Sequence, residues 1–211
     1  MRSQNEILKI MEVFAKENPN PQCELNFHNA YTLLAAVVLS AQTTDKGVNK
    51  ATRELFKIAD SPQKMLELGE EKLISYIRTI GLFNNKAKNI MSLSRDLVEK
   101  YDGIVPEKRE DLEKLAGVGR KTANVVLNVW FKKPTLAVDT HVLRISHRLD
   151  FSQGKTPLAV EQDLLKVLPD EYIINANHWL VLFGRYICKA QRPDCSKCPI
   201  ASFCYCADKK L

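Results

Sequence analysis

The chain has no apolar run long enough to cross a bilayer: the longest, Leu33 to Leu39, is seven residues, against the ~20 that a membrane helix needs. It has no export signal at its start either, because Met1-Arg2-Ser3-Gln4-Asn5-Glu6 is polar at once, so a soluble, cytoplasmic protein is expected. Low-complexity segments and clean repeats are missing. No convincing strand pattern is present, Thr135 to Val138 being too short to count. Cysteine is nearly missing from the first 187 residues, where only Cys23 occurs. The other five lie between Cys188 and Cys206, a poor layout for a disulfide framework spread through a secreted domain and a good one for a metal site. Neither sign of charge dominates: 31 Lys and Arg against 25 Asp and Glu give a net +6. That excess permits a polyanionic partner without requiring one.

What is present is helical patterning. With 211 residues, 45% of them hydrophobic, the chain can bury a real core in one large or two small domains. Ile7, Leu8, Met11 and Phe14 share a helical face that ends at Asn18-Pro19. Tyr31 to Leu39 is apolar nearly all round and reads as a buried central helix. A helix from Lys46 to Ile58 can be capped by Asp45 or a threonine before it, and Ser61-Pro62 opens a short helix to Leu68. Further helices are expected over Glu71–Ile80, Lys86–Tyr101, Asp139–Leu149, Pro157–Leu168 and Ala176–Cys188. The expected fold is all-α, with residues 23–133 as one helical bundle and 1–22 plus 134–211 as a second domain.

The stretch DLEKLAGVGRKTANVVLNVW, residues 111–130, carries the first functional signal. Leu112 and Leu115 mark a short helix, and Ala123, Val126, Leu127 and Trp130 mark one side of the next. Gly117 and Gly119 suit the tight turn between them, through positive φ and close backbone approach. The second helix then starts with unpaired N–H groups and the positive end of its dipole pointing outward, which is a phosphate-sized anion site. Arg120 and Lys121 add charge there. A plain helical hairpin with a solvated Arg-Lys pair has the same pattern.

The second signal is the spacing C-x6-C-x2-C-x5-C formed by Cys188, Cys195, Cys198 and Cys204. Four thiolates in so short a segment can wrap one metal centre, either zinc or an iron–sulfur cluster, and spacing alone leaves the two nearly even. Cys23 and Cys206 lie outside the pattern, Cys23 as a buried or neutral thiol and Cys206 as a bystander.

Together, the cysteine spacing, the Leu-x-Gly-Val-Gly-Arg-Lys-Thr-Ala turn at 115–123, Val138-Asp139-Thr140-His141-Val142, Leu39 to Asp45 and Ile80-Gly81-Leu82 resemble the endonuclease III family. This is the iron–sulfur branch of the helix-hairpin-helix DNA glycosylases. The resemblance covers essentially the whole chain, and although each hairpin motif alone is weak, the combination is specific. It implies a [4Fe–4S] cluster on the four cysteines. The one visible departure is Ala116, where the family usually has proline; Gly117, Gly119 and Lys121 are intact.

The resemblance further implies a bifunctional enzyme that removes oxidised pyrimidines from double-stranded DNA and nicks the abasic site, acting as a monomer. Gln42 and Leu82 are then expected to fill the gap left by an extruded nucleotide, which accounts for an exposed leucine in a polar loop. Lys121 is the expected nucleophile. A free lysine, with a pKa of about 10.4, is almost wholly protonated at neutral pH; the helix start, Arg120 and partial burial all disfavour the ammonium. Asp139 is the matching carboxylate, either helping to deprotonate Lys121 or stabilising charge on the sugar, and it can cap a helix as well. Lys189 and Arg192, in the cysteine loop, are expected to meet phosphates along with Gly117, Gly119 and Arg120. His141 and His147 are expected to make local polar contacts only.

Three rivals predict something different. A monofunctional adenine glycosylase lacks the lysine and carries an extra domain. A non-catalytic DNA-binding module binds abasic DNA without cleaving it. A small electron carrier leaves the hairpin, Lys121 and Asp139 unexplained.

Overall fold

In the computed structural model, residues 2–207 and residue 209 are described. Among them the ordered elements are all helical, and no helix is long and apolar enough to cross a membrane. The chain divides into two compact units, Cys23–Lys133 and Met1–Gln22 with Pro134–Leu211.

The continuous unit is built on α2 (Ala30–Leu39), in which every residue from Tyr31 to Leu39 is buried. A helix apolar on all sides needs neighbours on all sides. It has them in α3 (Asp45–Ile58), α6 (Phe83–Lys100) and α8 (Arg120–Val129), with α4 (Pro62–Leu68) and α5 (Glu70–Ile77) closing the bundle against α6. Asn29 caps α2 in a reciprocal box with Thr32, its Oδ1 accepting the Thr32 amide at 2.8 Å. Beneath α2 the Tyr31 hydroxyl pairs with Ser94 Oγ at 2.6 Å, and burial pushes the Tyr31 phenol well above its ordinary range. Thr44 caps α3 and Ser61 caps α4, each through a side-chain oxygen on a helix amide.

Within this unit the clearest departures from expectation lie in α5, α6 and α8. α5 ends at Ile77 rather than Ile80. α6 begins at Phe83 rather than Lys86, because Leu82 serves as its N-cap in a left-handed conformation (φ 59°, ψ 28°) with no side-chain cap. Trp130 is 39% exposed at the end of α8 instead of completing its buried face.

In the discontinuous unit, α1 (Gln4–Glu17) buries Ile7, Ile10, Met11 and Phe14 with residues from α9 (Thr140–Arg148), α10 (Pro157–Val167) and α11 (Asp170–Tyr186). The Phe14 and Phe183 rings lie 5.1 Å apart, and Trp179 Nε1 donates to Asn18 O at 2.8 Å just past the end of α1. A capping box of Ser3 and Glu6 starts α1, and the Ser3 hydrogen bond holds the Glu6 carboxyl below its usual range. Arg2 donates to the carbonyls of Leu149 and Phe203, fastening the chain start onto this unit. α11 begins six residues before the expected Ala176, since Pro169 supplies the turn into Asp170.

Candidate nucleic-acid interface and cysteine centre

In the continuous unit, α7 (Arg109–Leu112) and α8 form the hairpin. Gly117 is left-handed, φ +77°, which favours glycine, and a Cβ there would crowd the Asn89 side chain of α6, 2.8 Å from its Nδ2. Gly119 corrects the expectation for the second glycine. Its backbone is extended (φ −97°, ψ 179°), and nothing lies within 4 Å of where its Cβ would be. It caps α8 without a side chain, leaving the first amides of α8 beside open space. That is the arrangement for an anion approaching a helix start.

Arg120 and Lys121 are the first two residues of α8 and both are exposed. Lys121 therefore lacks the partial burial expected for it; its position at the helix start beside Arg120 is as expected. Gln42 and Leu82 are exposed as well, and both have left-handed backbones, with φ of 54° and 59°. Outside glycine, such φ values are uncommon and cluster where function over-determines the backbone. Leu82 is 56% exposed.

In the discontinuous unit, Leu136, Ala137 and Val138 are buried, and the Ala137 amide donates to Asn177 Oδ1 of α11 at 2.8 Å. This anchors the segment that delivers Asp139. Asp139 caps α9: its Oδ1 accepts from the amides of His141 and Val142 at 2.9 and 2.8 Å. Among the described residues Oδ2 makes no hydrogen bond, so one oxygen holds the helix and the other is open to chemistry. His141 Nδ1 lies 3.3 Å from Arg144 Nη2 and His147 Nε2 lies 2.8 Å from Gly154 O, both local contacts.

Cys188, Cys195, Cys198 and Cys204 line one cavity, whose remaining walls include Leu149, Phe183, Ile187 and Ile200; Cys206 is not among them. Burial pushes the Cys188 and Cys198 thiols up, and the neighbouring cysteines push them further; at Cys188 the Arg148 guanidinium opposes the rise, its Nη1 3.4 Å from Sγ. Four thiols gathered against apolar walls are a poor arrangement for free thiolates and a good one for cationic metal to neutralise. The donor set fits a thiolate-held centre. Among the described residues no three His, Cys, Asp or Glu side chains could hold a single metal ion.

Two arginines of α9, unremarked in the sequence, brace the loop entry. Arg144 Nη2 donates to Gly184 O at 2.6 Å and Cys188 O at 3.2 Å, and Arg148 Nη1 donates to Lys189 O at 2.7 Å. Only their spacing of four, one face of one helix, was available to find them. Lys189 and Arg192 are exposed on this loop, Arg192 with φ 50°.

An all-helical chain with a glycine hairpin and a four-cysteine loop defines a class, and the comparisons agree with it. Residues 35–170 match the family model described as HhH-GPD superfamily base excision DNA repair protein. The chain is 55% identical to endonuclease III of Rickettsia conorii (strain ATCC VR-613 / Malish 7) over 196 residues, 93% of each chain. It is 54% identical to endonuclease III of Haemophilus influenzae (strain ATCC 51907 / DSM 11121 / KW20 / Rd) over 202 residues, 96% of each. A solved structure of a trapped endonuclease III–DNA covalent intermediate is similar, with a TM-score of 0.90, 46% identity and 97% of each chain covered. The chain belongs to the endonuclease III family, within the HhH-GPD superfamily.

Proposed function

We propose that the protein is a base-excision-repair DNA glycosylase and abasic-site lyase acting on oxidised pyrimidines in duplex DNA, with Lys121 as its nucleophile. What carries this reading is Lys121, exposed in the first turn of α8 just beyond a glycine turn with room for a phosphate. Gly117, Gly119 and Arg120 hold the backbone of the damaged strand, by amides and charge. Gln42 and Leu82 occupy the space vacated in the stack, offsetting an unstacking cost of a few kcal/mol per step.

Once the Lys121 ammonium has given a proton to Asp139 or water, Nζ attacks C1′, the glycosidic bond breaks, and the base leaves with the electron pair and takes up a proton from solvent. The Asp139 carboxylate balances positive charge growing on the sugar through the oxygen that α9 does not use. Opening of the sugar gives an iminium between Nζ and C1′. Loss of a C2′ proton then expels the 3′ phosphate by β-elimination, and hydrolysis of the imine frees the lysine.

Cys188, Cys195, Cys198 and Cys204, which line one cavity without any three being placed to hold a single ion, would hold a [4Fe–4S] cluster, as the family resemblance implies. The cluster supplies a structural centre for the loop carrying Lys189 and Arg192, which meet phosphates.

Borohydride trapping on a duplex with one abasic or thymine-glycol site tests the assignment. The natural protein is expected to form a covalent adduct that Lys121→Gln does not. An adduct surviving in Lys121→Gln moves the amine elsewhere. Tight binding with no adduct in either protein replaces the enzyme with a binding module.

A further inference from the structure

Among the described residues Lys86 is the one buried lysine, 4% exposed in the first turn of α6. Its Nζ donates to Thr43 Oγ1 at 2.7 Å, while its backbone amide donates to Leu82 O at 3.0 Å. Among the described residues no carboxylate pairs with it. Thr43 follows Gln42 directly, and its own amide donates to Ser40 O at 3.0 Å, closing the turn on which Gln42 stands. One residue thus ties together the turns of the two exposed, left-handed residues assigned to the DNA gap, its backbone belonging to the helix that Leu82 caps and its side chain reaching the turn on which Gln42 stands.

We propose that Lys86 is a positioning residue that joins the Gln42 and Leu82 turns into one wedge, so that both side chains enter a duplex at a fixed separation. This rests on the glycosylase reading above. A buried ammonium with a neutral partner is costly, and burial does lower the proton affinity of Lys86. An unbranched apolar side chain would fill the same volume without that cost, so packing alone does not call for lysine here. A span from α6 to the Thr43 hydroxyl does: it needs a long stem with a donor at its tip.

The test compares Lys86→Met, Thr43→Val and Thr43→Ser by single-turnover excision from a thymine-glycol duplex. Each is made in the natural protein and in a Gln42→Ala/Leu82→Ala background. A double-mutant comparison isolates action through the wedge from every other role. Lys86→Met and Thr43→Val are each expected to slow excision by about tenfold or more, Thr43→Ser to restore it, and neither slow variant to lose anything further in the wedge-less background. Equal slowing in both backgrounds, or an unslowed Thr43→Val, overturns the proposal. If Lys86→Met does not fold, the Thr43→Val and Thr43→Ser pair decides alone. A natural protein that neither excises nor traps on borohydride overturns the glycosylase reading instead, which keeps the two failures distinct.

Discussion

At the scale of the residue, the proposed reading gives Asp139 a cap through one oxygen and a catalytic charge through the other, and substitutions can separate the shares. Asparagine caps helices about as well as aspartate, so Asp139→Asn is expected to change unfolding free energy by less than ~0.5 kcal/mol and to slow excision by about a hundredfold or more. Asp139→Ala should lose the cap as well, costing about 1 kcal/mol; chemical denaturation beside single-turnover assays reads both. The two hairpin glycines should part in the same way. Gly117→Ala meets a φ that side-chain-bearing residues rarely adopt and crowds the Asn89 side chain, and is expected to destabilise by ~1–3 kcal/mol. Gly119→Ala has space and an ordinary φ, so stability should stay within ~0.5 kcal/mol while duplex binding weakens. Equal losses of stability in the two would refute the distinction. From sequence these glycines looked interchangeable, because φ at a given glycine depends on what packs beside it.

At the scale of the element, α6 carries the sharpest conflict between stability and use. Its cap is a leucine in a conformation that costs non-glycine residues ~1–2 kcal/mol. Leu82→Gly is expected to raise the unfolding temperature and to lower excision, and a variant that loses both would point to a packing role. The same helix gives a pH signature. Burial lowers the Lys86 pKa, so between that lowered value and the unfolded value of about 10.4 the native state binds fewer protons than the unfolded chain. This contribution to stability rises with pH through that window, and denaturant titrations should show wild type gaining on Lys86→Met there. The helices themselves were largely legible: α2 by its unbroken apolar run, α4 by Ser61-Pro62, α9 by Asp139. What could not be read was local chemistry that breaks the usual signals. The starts of α6 and α11 have Leu82 and Pro169 where a Ser, Thr, Asp or Asn cap would stand, with no side-chain cap bond at either, so the usual start signals place both helices late. In the sequence Lys86 is only the first residue of an expected amphipathic helix, because nothing local marks a lysine whose partner, Thr43, lies in another turn. Arg144 and Arg148 were missed for the same reason, their acceptors being carbonyls forty residues away.

At the scale of the whole molecule, the two units have separate cores, and loss of one centre should be felt unequally. Cys198→Ala is expected to abolish bound iron and open the loop after Tyr186 to protease, while residues 23–133 keep their helical signal; uniform unfolding would contradict it. Arg192→Ala should lower the slope of log affinity against log salt by about one, and an unchanged slope would remove Arg192 from the phosphate contacts. The division of the chain has a consequence for synthesis. One unit is made of a single stretch, Cys23–Lys133, whereas the other is assembled from the two ends. On the ribosome, α1 emerges with Ile7, Ile10, Met11 and Phe14 uncovered, and its partners α9 to α11 are translated only after the intervening bundle. At typical elongation rates that wait is on the order of ten seconds, long enough for the bundle to finish folding while the first helix still shows an apolar face. The newborn chain therefore has a timed window in which the apolar face of α1 stays uncovered, and the cysteines that would gather iron follow α11, after that window closes.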